Sequence, residues 1–132
     1  MIDSATLTQF ARLFVSRRDD YALQRETGRY VRVGAPVSAA ALSRHLSGIQ
    51  TMGTYVIDEG GLCRFAVYDA DTPDGLSMLA EVQARLAADG VPSYLECSRR
   101  GEHLWVLFSQ WFPAALVAAL LPCGCGVLPQ TR

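Results

Sequence analysis

With 132 residues, 50% hydrophobic and 19% charged content and a net charge of −1, the chain is sized for a single domain spanning 1–132 with a moderate core. It lacks the global basic field of a general nucleic-acid binder. All twelve basic residues are Arg and none is Lys, which excludes Schiff-base and Walker-type lysine chemistry and leaves every phosphate contact to guanidinium groups.

The start, Met1-Ile2-Asp3-Ser4, has no signal-peptide layout, and no apolar run approaches the ~20 residues of a membrane span, so a cytoplasmic protein with no membrane partner is expected. Cys63, Cys97, Cys123 and Cys125 lack the paired spacing of a zinc site and read as idle thiols of a reducing compartment.

In chain order, Asp3 or Ser4 caps a first helix whose Leu7, Phe10, Ala11 and Phe14 recur at helical spacing and which ends near Val15. Arg17 to Ala22 form a polar exit, in which Arg17 or Arg18 either serves a site or is solvated. Thr27 to Pro36 is a short extended segment punctuated by Gly28 and Gly34. Ser38 caps a second helix with Ala39, Leu42 and Leu46 on one face and Gly48 as its stop. His45 on it is expected to pack rather than to ligate.

Thr51–Ile57 and Leu62–Asp69 read as two strands joined into a hairpin by Asp58-Glu59-Gly60-Gly61. Asp74 is expected to cap a third helix, 75–89, with Leu76, Leu79, Val82 and Leu86 toward the core and Gly90 closing it. Val91–Cys97 and His103–Phe108 are two more strands around Ser98-Arg99-Arg100-Gly101-Glu102. Pairing Ser98 with His103 sets Glu96 opposite Trp105 and Tyr94 opposite Leu107, with Ser98, His103, Glu96 and Trp105 on one face. Pro113 opens a last helix with Leu116, Val117, Leu120 and Leu121 apolar, and Pro122 stops it.

From Leu62 the order strand, helix, strand, strand, helix is that of an RRM-like or ferredoxin-like α/β sandwich. Residues 62–132 form this partial core, and 1–61 an N-terminal helix and hairpin extension.

Two features carry chemistry. Asp69-Ala70-Asp71 at a strand exit suits a hard Mg²⁺ or Mn²⁺, which is held by one or two carboxylates plus substrate phosphates, although aspartates at such exits also serve simply as turn formers. Haloacid-dehalogenase-type phosphohydrolases open similarly, but they need a lysine. The second feature, Ser98 to His103 with Arg99, Arg100 and Gly101 between them, offers a hydroxyl, guanidinium groups and an imidazole to oxyanions. Its plainer alternative is a charged hairpin tip.

Read together, Phe10, Leu13-Phe14, Arg18-Asp19, Tyr21-Ala22, His45-Leu46-Ser47-Gly48, Thr51, Gly53, Tyr55, Cys63, Phe65, Asp69-Ala70-Asp71, Leu95-Glu96, Ser98-Arg99, Gly101, His103, Trp105 and Pro113-Ala114 resemble the archaeo-eukaryotic primase domain of TOTE conflict systems and bacterial primase-polymerases. The resemblance covers Phe10 to Leu121. It implies a nucleotidyltransferase that uses nucleoside triphosphates, a nucleic-acid template or primer, and Mg²⁺ or Mn²⁺. Asp69 and Asp71 fall on the family's metal ligands, and Ser98 and His103, with Arg100 as helper, on the groups that hold the incoming nucleotide's phosphates.

The family's third acidic motif has no counterpart, for no carboxylate follows Glu102, and Val127-Leu128-Pro129-Gln130 echoes only the stretch beside it. Three explanations stand open: a truncated or split product completed by a second chain, an inactive copy, or substitution by Glu96. A non-catalytic RRM-like module that binds nucleic acid or protein, with Trp105 and Tyr94 stacking on its open face, is the alternative function.

Overall fold

A computed structural model of the chain describes residues 2–98 and 101–121. The backbone groups into two compact units, Met1–Gly60 and Gly61–Arg132. The described residues form a mixed α/β structure of four helices and two antiparallel sheets.

In the first unit α1 spans Ser4–Phe14, with Asp3 as N-cap accepting the Thr6 N–H at 2.9 Å. α2 spans Ala39–Leu46, where the Ser38 hydroxyl accepts the Ala41 N–H at 3.1 Å. Val15, Leu42 and Met52 are the buried centre, with Leu7, Phe10 and Leu23 packed around them. His45 is a packing residue, as expected: its Nδ1 accepts the Met52 N–H at 3.2 Å and its ring tilts against Phe10 at 5.7 Å.

The sheet of this unit differs from expectation. β1 (Ala22–Gln24) lies between β2 (Tyr30–Arg32) and β3 (Met52–Gly53). A strand therefore begins at Ala22, where the polar exit ends, and the hairpin is β1–β2. The expected long hairpin of Thr51–Ile57 with Leu62–Asp69 is replaced among the described residues: β3 is only two residues long, its ladder runs to β1 with Ala22 opposite Gly53, and Ile57 makes no more than an isolated bridge.

A buried carboxylate fastens the loops of this unit. Asp20 accepts the N–H groups of Tyr21 and Gly34, each at 2.8 Å, and the Arg32 guanidinium. Burial pushes the Asp20 carboxyl up, but Arg32 and the two backbone donors outweigh it and hold the pKa below the ordinary 3.8. Beside it the Arg17 guanidinium, hydrogen-bonded at 2.7 Å, holds the more exposed Asp19 down at about 2.

In the second unit β4 (Leu62–Ala70), α3 (Gly75–Ala88), β5 (Tyr94–Cys97), β6 (Glu102–Pro113) and α4 (Ala114–Leu120) follow the expected order. The sheet order is β4-β6-β5, and β6 is antiparallel to both neighbours. β4 and β5 therefore run the same way, linked by α3, with β6 inserted between them. That is the split β-α-β arrangement of a ferredoxin-like core.

Tyr68, Ala70, Leu104 and Val106 meet Leu79, Val82 and Leu86 of α3 in the buried core. Burial of the last three follows from their spacing of three and four residues, which forms one helical stripe. Leu76 was expected on that stripe but is exposed, since it lies about 100° around the helix from Gly75, which is buried instead. In α4 Leu116 and Leu120 are exposed, and Ala114 and Val117 turn inward. Asp74 occupies the N-cap position of α3 without a side-chain cap bond. Gly90, at φ 74°, supplies the left-handed exit from the helix.

Candidate functional site

β4, β6 and β5 each deliver one polar side chain to the same rung of the sheet. Asp69 pairs with His103 across β4 and β6, and Glu96 pairs with His103 across β5 and β6. Because side chains alternate along a strand, Asp69, His103 and Glu96 share the face opposite the α3 core. The imidazole is flanked on both sides: Nε2 lies 3.5 Å from Asp69 Oδ1 and Nδ1 lies 3.3 Å from Glu96 Oε2.

The next rung on this face is apolar, with two aromatics, Trp105 and Tyr94, in line with Val67. Trp105 Nε1 donates to Glu96 Oε2 at 2.6 Å. Its ring stands edge-on to His103, centroids 6.3 Å apart at 83°, and leans on Phe65 at 5.5 Å. One carboxylate oxygen thus braces both the imidazole and the indole.

The hairpin register differs from expectation by two residues: Glu96 faces His103 rather than Trp105, and Tyr94 faces Trp105 rather than Leu107. The cause is a tighter turn. The Ser98 N–H donates to the Gly101 carbonyl at 2.8 Å, while the Ser98 hydroxyl accepts the Gly101 N–H at 3.1 Å and lies 2.8 Å from the same carbonyl. A slip of two preserves the faces, so Glu96, His103 and Trp105 still project together.

Gly101 also meets the acidic loop. A Cβ there would stand 2.4 Å from the Ala70 carbonyl oxygen and 2.6 Å from Asp71 Oδ1. The close backbone approach that glycine permits is therefore to the strand carrying Asp69. On the other face Glu102 reaches the start of α3, where a Cβ at Gly75 would lie 2.9 Å from its Oε2.

Asp69 lies at the end of β4 and Asp71 just past it, exposed beside Gly101. As hard oxygen donors the two carboxylates fit Mg²⁺ or Mn²⁺. Among the described residues no three His, Cys, Asp or Glu side chains gather closely enough to hold a metal ion. Glu96 stands two strands from Asp69, about 10 Å between backbones at ~4.8 Å per strand, with His103 between, and its carboxylate already serves His103 and Trp105.

Arg18 is exposed in the first unit, where its carbonyl accepts the Val37 N–H at 2.9 Å. Arg99, Arg100, Cys123, Cys125 and the Val127–Gln130 stretch lie outside the described residues. Cys63 is buried and Cys97 exposed. No helix among the described residues is long and apolar enough to cross a membrane. The Trp105–Glu96 bond was not foreseen; its sequence signal is the i, i+2 spacing of His103 and Trp105 facing a glutamate.

A family model for the TOTE conflict system archaeo-eukaryotic primase domain matches residues 29–123. A search of curated proteins found no match.

Proposed function

The chain belongs to the TOTE conflict system archaeo-eukaryotic primase domain family, and from that premise we propose that its second unit binds a nucleoside triphosphate with Mg²⁺ or Mn²⁺ for template-directed nucleotidyl transfer. The observation that carries the reading is the pairing of Asp69 with His103 on adjacent strands, Oδ1 to Nε2 at 3.5 Å. It joins a hard-metal carboxylate and an oxyanion-binding imidazole on one sheet face.

In this reading Asp69 and Asp71 hold the cation, which when bound neutralises charge on the triphosphate oxygens. His103 presents its Nε2 side to the phosphates, kept there by Glu96 at Nδ1. Ser98 shapes the turn through its bonds to Gly101, and Arg100 supplies a further guanidinium. Such a transfer is governed by positioning and electrostatics, which suits side chains fixed by a strand ladder. Filter binding of labelled nucleotide with Mn²⁺ tests it: Asp69→Ala and His103→Ala lose retention, and parental retention in both sinks the reading.

A second reading is a non-catalytic module in which the same face binds single-stranded nucleic acid. Tyr94, exposed over 58% of its surface opposite Trp105, favours it. Strand binding unchanged by chelator, together with no primer extension, selects this reading over the first.

A further inference from the structure

The sheet of the second unit has an open side. Among the described residues β5 is its outer strand, and Tyr94, Leu95, Glu96 and Cys97 are all exposed. The ladder decides which backbone groups that side presents. In an antiparallel pair, hydrogen-bonded and non-hydrogen-bonded partners alternate. The Ser98 N–H donates to the Gly101 carbonyl at 2.8 Å, so Glu96–His103 and Tyr94–Trp105 are the hydrogen-bonded pairs. The N–H and C=O groups of Leu95 and Cys97 therefore point away from β6, out of the sheet edge.

Exposed edges ordinarily carry a lysine, a proline, a bulge or a solvated charge that discourages pairing. β5 holds no lysine or proline and its register is regular. Its one charge is drawn back into the sheet face, where Glu96 Oε2 accepts the Trp105 indole N–H at 2.6 Å and lies 3.3 Å from His103 Nδ1. The margin beside the edge is uncharged as well. Leu95, 36% exposed, lies on the α3 side, opposite the core residue Leu104. Gln83 Nε2 donates to the Ser93 carbonyl at 3.1 Å, which identifies the flank of α3 turned toward β5. At about 100° per residue Leu76, Ala80 and Ala87 share this flank, whereas Glu81 and Arg85 lie on the far side. Leu76, 47% exposed, is thus part of an apolar margin along an open strand.

We propose that β5 pairs with β5 of a second copy of this chain, antiparallel about a two-fold axis through Leu95. An axis perpendicular to the sheet keeps the faces of the two copies aligned, so the pairing is centred on a residue rather than between two. The two inner residues of the strand give the greatest overlap. Centring on Glu96 sets two carboxylates directly opposite each other, which is unfavourable. Centring on Leu95 makes it a hydrogen-bonded pair with its own copy, since its N–H and C=O already point across the edge. It also brings the partner's Tyr94 opposite Glu96, on the face of the candidate site, and joins two three-stranded sheets into one of six. A strand from an unrelated protein would meet the same backbone groups; what favours a second copy is the match of bonding phase, apolar side chain and charge when this strand meets itself. This pairing follows from the ladder and stands whether or not the site binds nucleotide.

Sedimentation equilibrium of the full chain, in EDTA and without nucleotide, tests it. A strand-edge contact falls below the ~1,200 Å² of standard interfaces, so a weak, reversible dimer is expected. The average mass should rise from 14.4 kDa toward twice that value as the concentration approaches about 1 mM. Leu95→Lys puts a cation opposite its own copy and is expected to weaken association about tenfold, while Leu95→Val associates like the parent. In a background of Cys97→Ser, Cys123→Ser and Cys125→Ser, Leu95→Cys sets two thiols on facing Cα atoms about 5.5 Å apart. A short thiol-bridging reagent then gives a covalent dimer, which neither the background nor Ala88→Cys, exposed on the far side of α3, gives. Circular dichroism of each variant should overlay the parent's, because the Leu95 backbone takes no part in the β5–β6 bonds. A single 14.4 kDa species at every concentration, parental association in Leu95→Lys, or no bridged product from Leu95→Cys overturns the proposal. All of these are read without metal or nucleotide, so their failure is distinct from failure of the Mn²⁺-nucleotide reading.

Discussion

Replacing Gly101 by Ala puts a methyl group where the turn after β5 meets the end of β4. The new Cβ would lie 2.4 Å from the Ala70 carbonyl oxygen, 2.6 Å from Asp71 Oδ1 and 3.1 Å from Asp71 Cα. Asp71 can rotate its carboxylate away, but Ala70 cannot move its carbonyl without disturbing the Ala70–Glu102 pair. Restoring an ordinary contact of about 3.4 Å requires roughly 1 Å of backbone displacement, at a point also held by the Ser98–Gly101 bonds. Overpacking of this kind costs about 1–3 kcal/mol, a large share of the ~5–15 kcal/mol that stabilises a typical protein. Urea unfolding followed by tryptophan fluorescence reads it, since both tryptophans, Trp105 and Trp111, lie on β6. The midpoint should fall with the slope unchanged. A Gly101→Ala midpoint within about 0.5 kcal/mol of the parent would refute the packing argument, because an exposed turn glycine costs no more than that.

Leu79→Ala, at a fully buried position between α3 and the sheet, should cost about 2–5 kcal/mol in the same unfolding assay. Trp105→Phe keeps the ring against Phe65 but removes the indole donor to Glu96. It should weaken Mn²⁺-nucleotide retention several-fold, with the urea midpoint shifted by about 1 kcal/mol or less; parental retention would show that the brace does not matter to binding. Asp20 has its carboxyl pKa depressed in the folded chain, so the stability it contributes is present above its unfolded value near 3.8 and is lost as pH falls through the lower folded value. Thermal melts by circular dichroism should therefore show Asp20→Asn less stable than the parent at pH 7, with the difference shrinking below pH 4. A constant difference across that range would reject the linkage.

What the sequence disclosed and what it withheld follow from range. The Asp3 and Ser38 caps and the Leu79, Val82, Leu86 stripe depend on neighbours a few residues away, and α1, α2 and α3 were legible from them. The β4-α3-β5-β6 order was legible for the same reason. β1 was not, because Ala22-Leu23-Gln24 is too short to show alternation and is a strand only through its two partners. The partner of β4 was misjudged because proximity in sequence favours a hairpin, whereas the ladder goes to β6 some forty residues on. At the candidate site, His103 and Glu96 could be assigned to one face by parity alone, whereas Asp69 joins them only through the β4–β6 ladder. The distance between rungs could not, since it turns on whether the loop after Cys97 closes at Ser98–Gly101 or later.

The placement of Asp69, His103 and Glu96 on one rung has a consequence for how this domain tolerates change. Their spacing is set by the repeat of the sheet itself, so the loop between Gly90 and Pro92, outside α3, can lengthen without moving them. A one-residue insertion between Phe65 and Asp69 is another matter. It would rotate Asp69 toward α3 and leave His103 facing outward opposite a residue of the wrong face. Length variation in this fold is thus safe in its loops and disabling in the last four residues of one strand, a boundary that a scan of single-residue insertions would draw directly.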